Sequence, residues 1–180
     1  MIIVEGPDGA GKTTLVDLLS TRAGLPVAPK IVASTTEPLV ASKKVWCEKN
    51  VSLGFQMTLF DRHCLISEPI YNSILKSSFD PGFNDVAWYT AMTTMMFKHV
   101  RPLIIYCLPP FEVVRMNVTE DVENQPKRLR ESIRKIYGQY VAIAANHVPL
   151  AGALVYDYTR SDTKYIFAQV DAAIERMFHA

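Results

Sequence analysis

One run near the amino terminus, Gly6-Pro7-Asp8-Gly9-Ala10-Gly11-Lys12-Thr13, constrains this 180-residue chain more than anything else in it. It satisfies the pattern G-x-x-x-x-G-K-[ST], and its surroundings suit that pattern. Ile2 to Glu5 reads as a buried strand before it. Lys12 to Arg22 reads as a helix after it, with Leu15, Leu18, Leu19 and Arg22 spaced i, i+3, i+4, i+7. Glycines let such a bend curl until successive backbone N–H groups point inward. The helix start adds about half a positive charge behind them. Gly6, Asp8, Gly9, Ala10, Gly11, Lys12, Thr13 and Thr14 would then surround the triphosphate tail of ATP. Lys12 would reach the β- and γ-phosphates and the Thr13 hydroxyl would ligate Mg2+. The pattern is silent on what the bound nucleotide is used for.

Short apolar runs alternate with amphipathic stretches along the whole chain, the pattern of an α/β protein with a parallel sheet wrapped by helices. Further strands are expected over 30–34, over 56–60 ending at Asp61, over 102–108 and over 153–156. Helices are expected over 40–49, from an N-cap at Ser67 with Pro69 in the first turn, from a cap at Asn84 to about His99, and over 111–118. The longest opens at Pro126 and carries an apolar stripe of Leu129, Ile133, Ile136, Tyr137, Tyr140 and Val141. The last is capped by Ser161 or Asp162 and carries Ile166, Val170, Ile174 and Met177. No linker or repeat divides the chain, so residues 1–180 read as one domain.

Two polar stretches follow predicted strands, at the sheet edge where open α/β folds bind ligands. They are Thr35-Thr36-Glu37-Pro38 and Asp61-Arg62-His63. A carboxylate there can hold magnesium or take a proton from an attacking hydroxyl, and an arginine beside it can clamp an anionic oxygen. Lys127, Arg130 and Arg134 share one helical face, about 100° from the apolar stripe. Cations so placed can neutralise charge on a transferring phosphoryl group or be a solvated face paired with Glu131. Phe55, Tyr71, Trp88 and Tyr89 are candidates for a flat apolar pocket that takes a pyrimidine ring, or for core.

On these residues the chain resembles the thymidylate kinases, within the P-loop nucleotide and nucleoside kinases. Val4 to Thr14 looks like that family's F-E-G-x-D-G-x-G-K-T-T opening. Thr36-Glu37-Pro38 is similar to its R-E-P, and Asp61-Arg62-His63 to its D-R-Y/H. Phe60 to Tyr71 also has the tenor of the deoxynucleoside kinase segment, and 102–110 resembles the strand leading to the lid. The resemblance implies a three-layer α/β/α fold with a five-stranded parallel sheet and a short helical lid over 115–134. It implies Lys12 and Arg62 near the transferring phosphoryl, Glu37 and Asp61 around metal and acceptor, Thr13 and Asp61 on the metal, and Arg130 and Arg134 as lid cations. Homodimers are frequent in the family, with the helices from Val40 and Asn84 as candidate contact faces.

The departures bear on the acceptor. Thr36 stands where the family has arginine, so one cation is missing while both carboxylates remain. A monophosphate acceptor arrives as a dianion and needs cations; a hydroxyl acceptor needs a base. A magnesium- and ATP-dependent kinase for a thymidylate-like pyrimidine deoxynucleotide is therefore expected, alongside two alternatives. One is a kinase for a deoxynucleoside 5′-OH or a 5-hydroxymethyl pyrimidine, free or in DNA. The other is a non-catalytic ATP-binding switch. A net charge of +1 argues against a broad duplex-DNA face. No run approaches the roughly 18 apolar residues of a membrane span. Three cysteines without a C-x-x-C pair argue against a disulfide scaffold or zinc site, and for a reducing cytoplasm.

Overall fold

The computed structural model describes residues 1–29, 47–53, 56–75, 86–121, 123, 125–150, 152–160 and 163–178. Strand β1 (Ile2–Glu5) is buried at every position. It pairs in parallel with β2 (Leu59–Asp61) on one side and β3 (Leu103–Cys107) on the other. β4 (Ala153–Tyr156) continues the sheet beyond β3. The order β2-β1-β3-β4 makes four strands among the described residues, where five were expected for the chain. The expected strand over 30–34 lies outside the described residues, and Val27 adds only a single parallel bridge to Leu59. Ile2-Ile3-Val4 and Leu103 to Cys107 are apolar without alternation because helices cover both faces of such a sheet.

Helix α1 is Lys12–Ala23, closed by Gly24 in the left-handed region at φ 63°. Leu15, Val16 and Leu19 face the core, whereas Leu18, expected there, is 45% exposed. A helical stretch, α2, covers 47–53 among the described residues; most of the expected helix over 40–49 lies outside them. Helix α3 is Cys64–Leu75 and starts three residues before the predicted cap at Ser67. The reason is local. The His63 carbonyl accepts from the Ile66 and Ser67 amides and from the Ser67 hydroxyl, so Ser67 bonds backward as part of the first turn. Pro69 consequently sits inside the helix and cannot donate to the Leu65 carbonyl one turn back. The Tyr89 hydroxyl donates to that carbonyl instead, at 2.9 Å.

Tyr89 belongs to α4 (Val86–Met95), which passes directly into a π-helical turn over Met96–Val100. The predicted cap Asn84 lies outside the described residues. Helices α5 (Phe111–Glu120) and α6 (Lys127–His147) both begin after a proline. Leu129, Ile133, Ile136 and Tyr140 are buried as the stripe predicts, Tyr137 is half-buried, and Val141 is 42% exposed because it falls at the stripe's edge. Helix α7 is Thr163–Phe178; its predicted caps, Ser161 and Asp162, lie outside the described residues. Arg22 ties α1 to α7, pairing with Asp171 at 2.6 Å and lying over the Phe167 ring.

Cys47 and Cys64 form a disulfide that joins α2 to the start of α3, their Cα atoms 6.1 Å apart. One such link is not the disulfide scaffold that the cysteine count argues against. Cys107 is free and buried. Among the described residues no helix is long and apolar enough to cross a membrane.

Candidate active site

The loop between β1 and α1 has the backbone its glycines promise. Gly6, Gly9 and Gly11 take φ of 145°, 74° and 78°. A Cβ on Gly6 would lie 2.5 Å from the Cys107 carbonyl oxygen, so the loop can cross the end of β3 only without a side chain there. Gly11 serves as the N-cap of α1 and supplies no side-chain bond, and the first turn holds no acidic residue. The helix start therefore presents amide donors and its positive end to an incoming anion. Lys12 folds back over the loop and donates to the Pro7 carbonyl at 2.6 Å. Burial, and then the neighbouring Arg62 charge, bring its ammonium down to about 8, against the pull of Asp8 and Asp61.

β2 delivers the second motif beside this loop. The Thr13 hydroxyl donates to Asp61 Oδ2 at 2.9 Å. Magnesium is commonly held by one or two protein oxygens, substrate phosphates and water, and this hydroxyl–carboxylate pair has the chemistry for it. Arg62 follows in the left-handed region at φ 70°, with its amide bonded to the Val4 carbonyl at 2.9 Å. Its guanidinium donates to Asp8 at 2.6 Å and to the Tyr71 hydroxyl at 2.7 Å, and lies 4.7 Å from the Tyr71 ring centroid. Tyr71 in turn donates to the other Asp8 oxygen at 2.7 Å. Burial would raise the Asp8 carboxyl, but Arg62 and Lys12 hold it below the usual carboxylate range. Arg62 Nε is buried without a hydrogen-bond partner among the described residues.

Beneath the ring formed by Asp8, Arg62 and Tyr71 lies Glu5, fully buried. It accepts from the His63 amide at 2.6 Å and from the Tyr140 hydroxyl at 3.0 Å. Burial pushes its carboxyl up to about 7, partly opposed by those bonds and by Arg62 and Lys12. His63 is likewise buried, which brings its imidazole down to about 4. Its Nδ1 accepts from the Leu65 amide at 3.3 Å, so the proton sits on Nε2, which finds no acceptor among the described residues. Glu5 thus clamps the turn that carries Arg62 from below.

Helix α5 and the segment after β4 close the loop's other side, and the sequence reading missed both. Asn117 Nδ2 donates to the Gly9 carbonyl at 2.7 Å and to the Tyr158 hydroxyl at 3.1 Å. A Cβ on Gly11 would meet the Tyr158 ring at 3.0 Å. The strand-end rule that picked out Asp61 would also have picked out Tyr158, which follows β4. Asn117 carried no such signal.

The other predicted residues are distributed unevenly. Glu37 and Phe55 lie outside the described residues. Of the four aromatic candidates, Tyr71 joins Asp8 and Arg62. Trp88 bonds to Glu48 at 2.9 Å and Tyr89 to the Leu65 carbonyl, so both tie α4 to its neighbouring helices. In the expected lid, Lys127 pairs with Glu131 at 3.8 Å on an exposed face, Arg134 lies over the Phe111 ring, and Arg115 pairs with Glu112. Arg130 is half-buried one turn before Arg134.

No protein-family profile and no curated protein matches the chain. Solved structures do. The YorR protein of Bacillus subtilis, in complex with phosphorylated GDP, is similar over 99% of this chain and 98% of its own, with a TM-score of 0.69 and 17% identity. Deoxyadenosine kinase from M. mycoides, with the products dCMP and dCDP, is similar over 98% of both chains, with a TM-score of 0.56 and 16% identity. The same kinase with bound dCTP gives 0.52 at 17% identity. At such identities the likeness is one of fold: the chain shares the α/β fold of these structures, a deoxyadenosine kinase among them.

Proposed function

We propose that this chain is a magnesium- and ATP-dependent kinase that phosphorylates a deoxynucleoside on its 5′-hydroxyl. One observation carries the choice of acceptor. Arg62, the acceptor-side cation of the Asp61-Arg62-His63 motif, is already compensated by Asp8 and hydrogen-bonded to Tyr71. A dianionic monophosphate entering there would meet the Asp8 and Asp61 carboxylates and an arginine with little net charge left to offer. A neutral sugar can exchange hydrogen bonds with all three groups of the ring. The fold shared with a deoxyadenosine kinase supports the same reading.

In this reading the loop amides and Lys12 gather the triphosphate oxygens, and Thr13 with Asp61 would hold magnesium. When bound, that ion neutralises charge on the β- and γ-phosphates. Asp61 is engaged by Thr13, and Glu37, which lies outside the described residues, would take the acceptor proton in this reading. Lys12 and the lid arginines Arg130 and Arg134 would stabilise charge spread over the equatorial oxygens, while Arg62, held by Asp8 and Tyr71, positions the acceptor, so catalysis is positioning and electrostatics.

Phosphorylation of a thymidylate-like monophosphate is the second reading. It is favoured by the unpartnered Nε of Arg62, a donor left over for a phosphate oxygen. The test follows ADP release from magnesium-ATP with thymidine, deoxycytidine, deoxyadenosine, dTMP, dUMP and hydroxymethyluracil-containing DNA. Turnover with a nucleoside, lost by roughly 10²–10⁴ in Glu37→Gln, is the expected result. Turnover with dTMP alone would establish the second reading, and ATP binding without acceptor-dependent ADP release would leave a binding module.

A further inference from the structure

At the edge of the sheet opposite the phosphate loop, the starts of β3 and β4 open onto a cavity of about 700 Å³. That volume lies within the roughly 300–1,000 Å³ typical of small-molecule sites. Four or five strand residues, about 15 Å, separate this edge from the loop. Phe97, Ile104 and Ala153 supply apolar wall, and Arg101, His147 and Arg176 supply polar side chains; among the described residues no aspartate or glutamate lines it.

The three polar side chains named, Arg101, His147 and Arg176, can each donate. His147 Nδ1 lies 2.6 Å from the Tyr106 hydroxyl. A phenol donates to a neutral imidazole nitrogen, and burial of His147 favours that neutral form, so its proton sits on Nε2. Arg101 uses its Nε on the Lys98 carbonyl at 3.3 Å, which leaves the two terminal nitrogens of the guanidinium. Its backbone is left-handed at φ 50°, a conformation that a glycine would adopt without strain, at the end of the π-helical turn. The same turn brings Phe97 edge-on to His147, ring centroids 5.2 Å apart. Two guanidinium groups and an imidazole N–H around an aromatic and aliphatic wall demand an acceptor-only group on an apolar body.

We propose that this cavity is a second ligand site, for a small molecule that carries an aromatic or cyclic apolar body and one anionic group, carboxylate or phosphate. The site is separate from the phosphate loop and does not depend on the kinase reading.

The test titrates the full chain, saturated with magnesium and a nonhydrolysable ATP analogue, with 2-naphthoate and 2-naphthyl phosphate, following saturation-transfer NMR and calorimetry. Acetate, inorganic phosphate and 2-naphthol test charge and ring separately. Both naphthyl anions should bind saturably, and each control should be at least about tenfold weaker. The tighter of the two identifies the anionic group. Arg101→Gln combined with Arg176→Gln should weaken binding about tenfold or more while ATP affinity is unchanged. The paired lysine substitutions should retain part of it, which separates lost charge from lost folding. Equal binding of 2-naphthol, unchanged binding in the glutamine variant, displacement by excess ATP analogue, or no saturable binding would each overturn the proposal.

Discussion

The Thr13 hydroxyl and the Asp61 carboxylate meet at 2.9 Å across 48 residues of sequence, joining the start of α1 to the end of β2. The two side chains act as one unit if they share a metal ion, and that has a kinetic signature. Thr13→Ala and Asp61→Asn should each raise the magnesium concentration needed for half-maximal ADP release by about tenfold. The double variant should be little worse than the poorer single one, because groups that act together are not additive. Magnesium titrations of all three variants check this; independent, multiplying losses would separate the pair.

Lys12 should impose a limb on the pH profile. Its folded value of about 8 lies below the ordinary 10.5, so the unliganded protein loses this charge as pH rises through about 8. The profile of kcat/KM, which reports the free enzyme, should fall on that alkaline side. The limb in kcat should lie at higher pH, because bound phosphates favour the ammonium. Lys12→Ala should cost roughly 10²–10³ in kcat, the scale of one lost donor to developing charge. Lys12→Arg should abolish the limb even where little activity remains.

Tyr89 and Pro69 form a compensating pair. Pro69 leaves the Leu65 carbonyl without its helical donor, and the Tyr89 hydroxyl fills the vacancy. Tyr89→Phe should destabilise the fold by about 1–3 kcal/mol, the cost of an unsatisfied buried group. Adding Pro69→Ala restores a backbone N–H and should recover part of that loss. Denaturant melts of the single and double variants measure the coupling; simple additivity would show that the carbonyl finds another donor.

The loop was legible from sequence because local rules determine it: glycines at fixed spacing, a buried strand before, a helix after; Asp61 does end a strand, but β2 starts at Leu59, three residues later than the expected Gln56. The start of α3 was misread because Ser67 looks like a cap, and only the His63 carbonyl makes it a first-turn residue. Tyr89 could be read only as pocket or core, because nothing in sequence reveals a carbonyl orphaned by Pro69. The Asp8–Arg62–Tyr71 ring could not be read at all. Its members are 54 and 9 residues apart, and only the register of β1 against β2, Val4 beside Asp61, brings them together. Glu5 read as a strand end, yet its burial makes it the base of the site.

Glu5 and His63 set up opposing pH dependences between about pH 4.5 and 6. The Glu5 carboxyl rises from 4.5 to about 7 on folding, so in this window the folded chain holds a proton that the unfolded chain has lost. Its contribution to stability therefore falls as pH rises. The His63 imidazole drops from 6.5 to about 4, so here the unfolded chain holds the extra proton, and its contribution climbs with pH. Each slope is roughly 1 kcal/mol per pH unit at most of this range, and the two offset. The amino terminus, lowered by burial from 8.0 to about 6, adds its own rising slope only above the window, and Asp8 acts below it. Stability of the natural chain should thus change less from pH 4.5 to 6 than either group alone would make it, with His147, also lowered by burial, adding a rising contribution. Glu5→Gln should unmask a stability that increases with pH, and His63→Gln one that decreases. Urea melts at four pH values across the window decide it: parallel profiles for the three proteins would mean that neither buried group changes its proton affinity on folding.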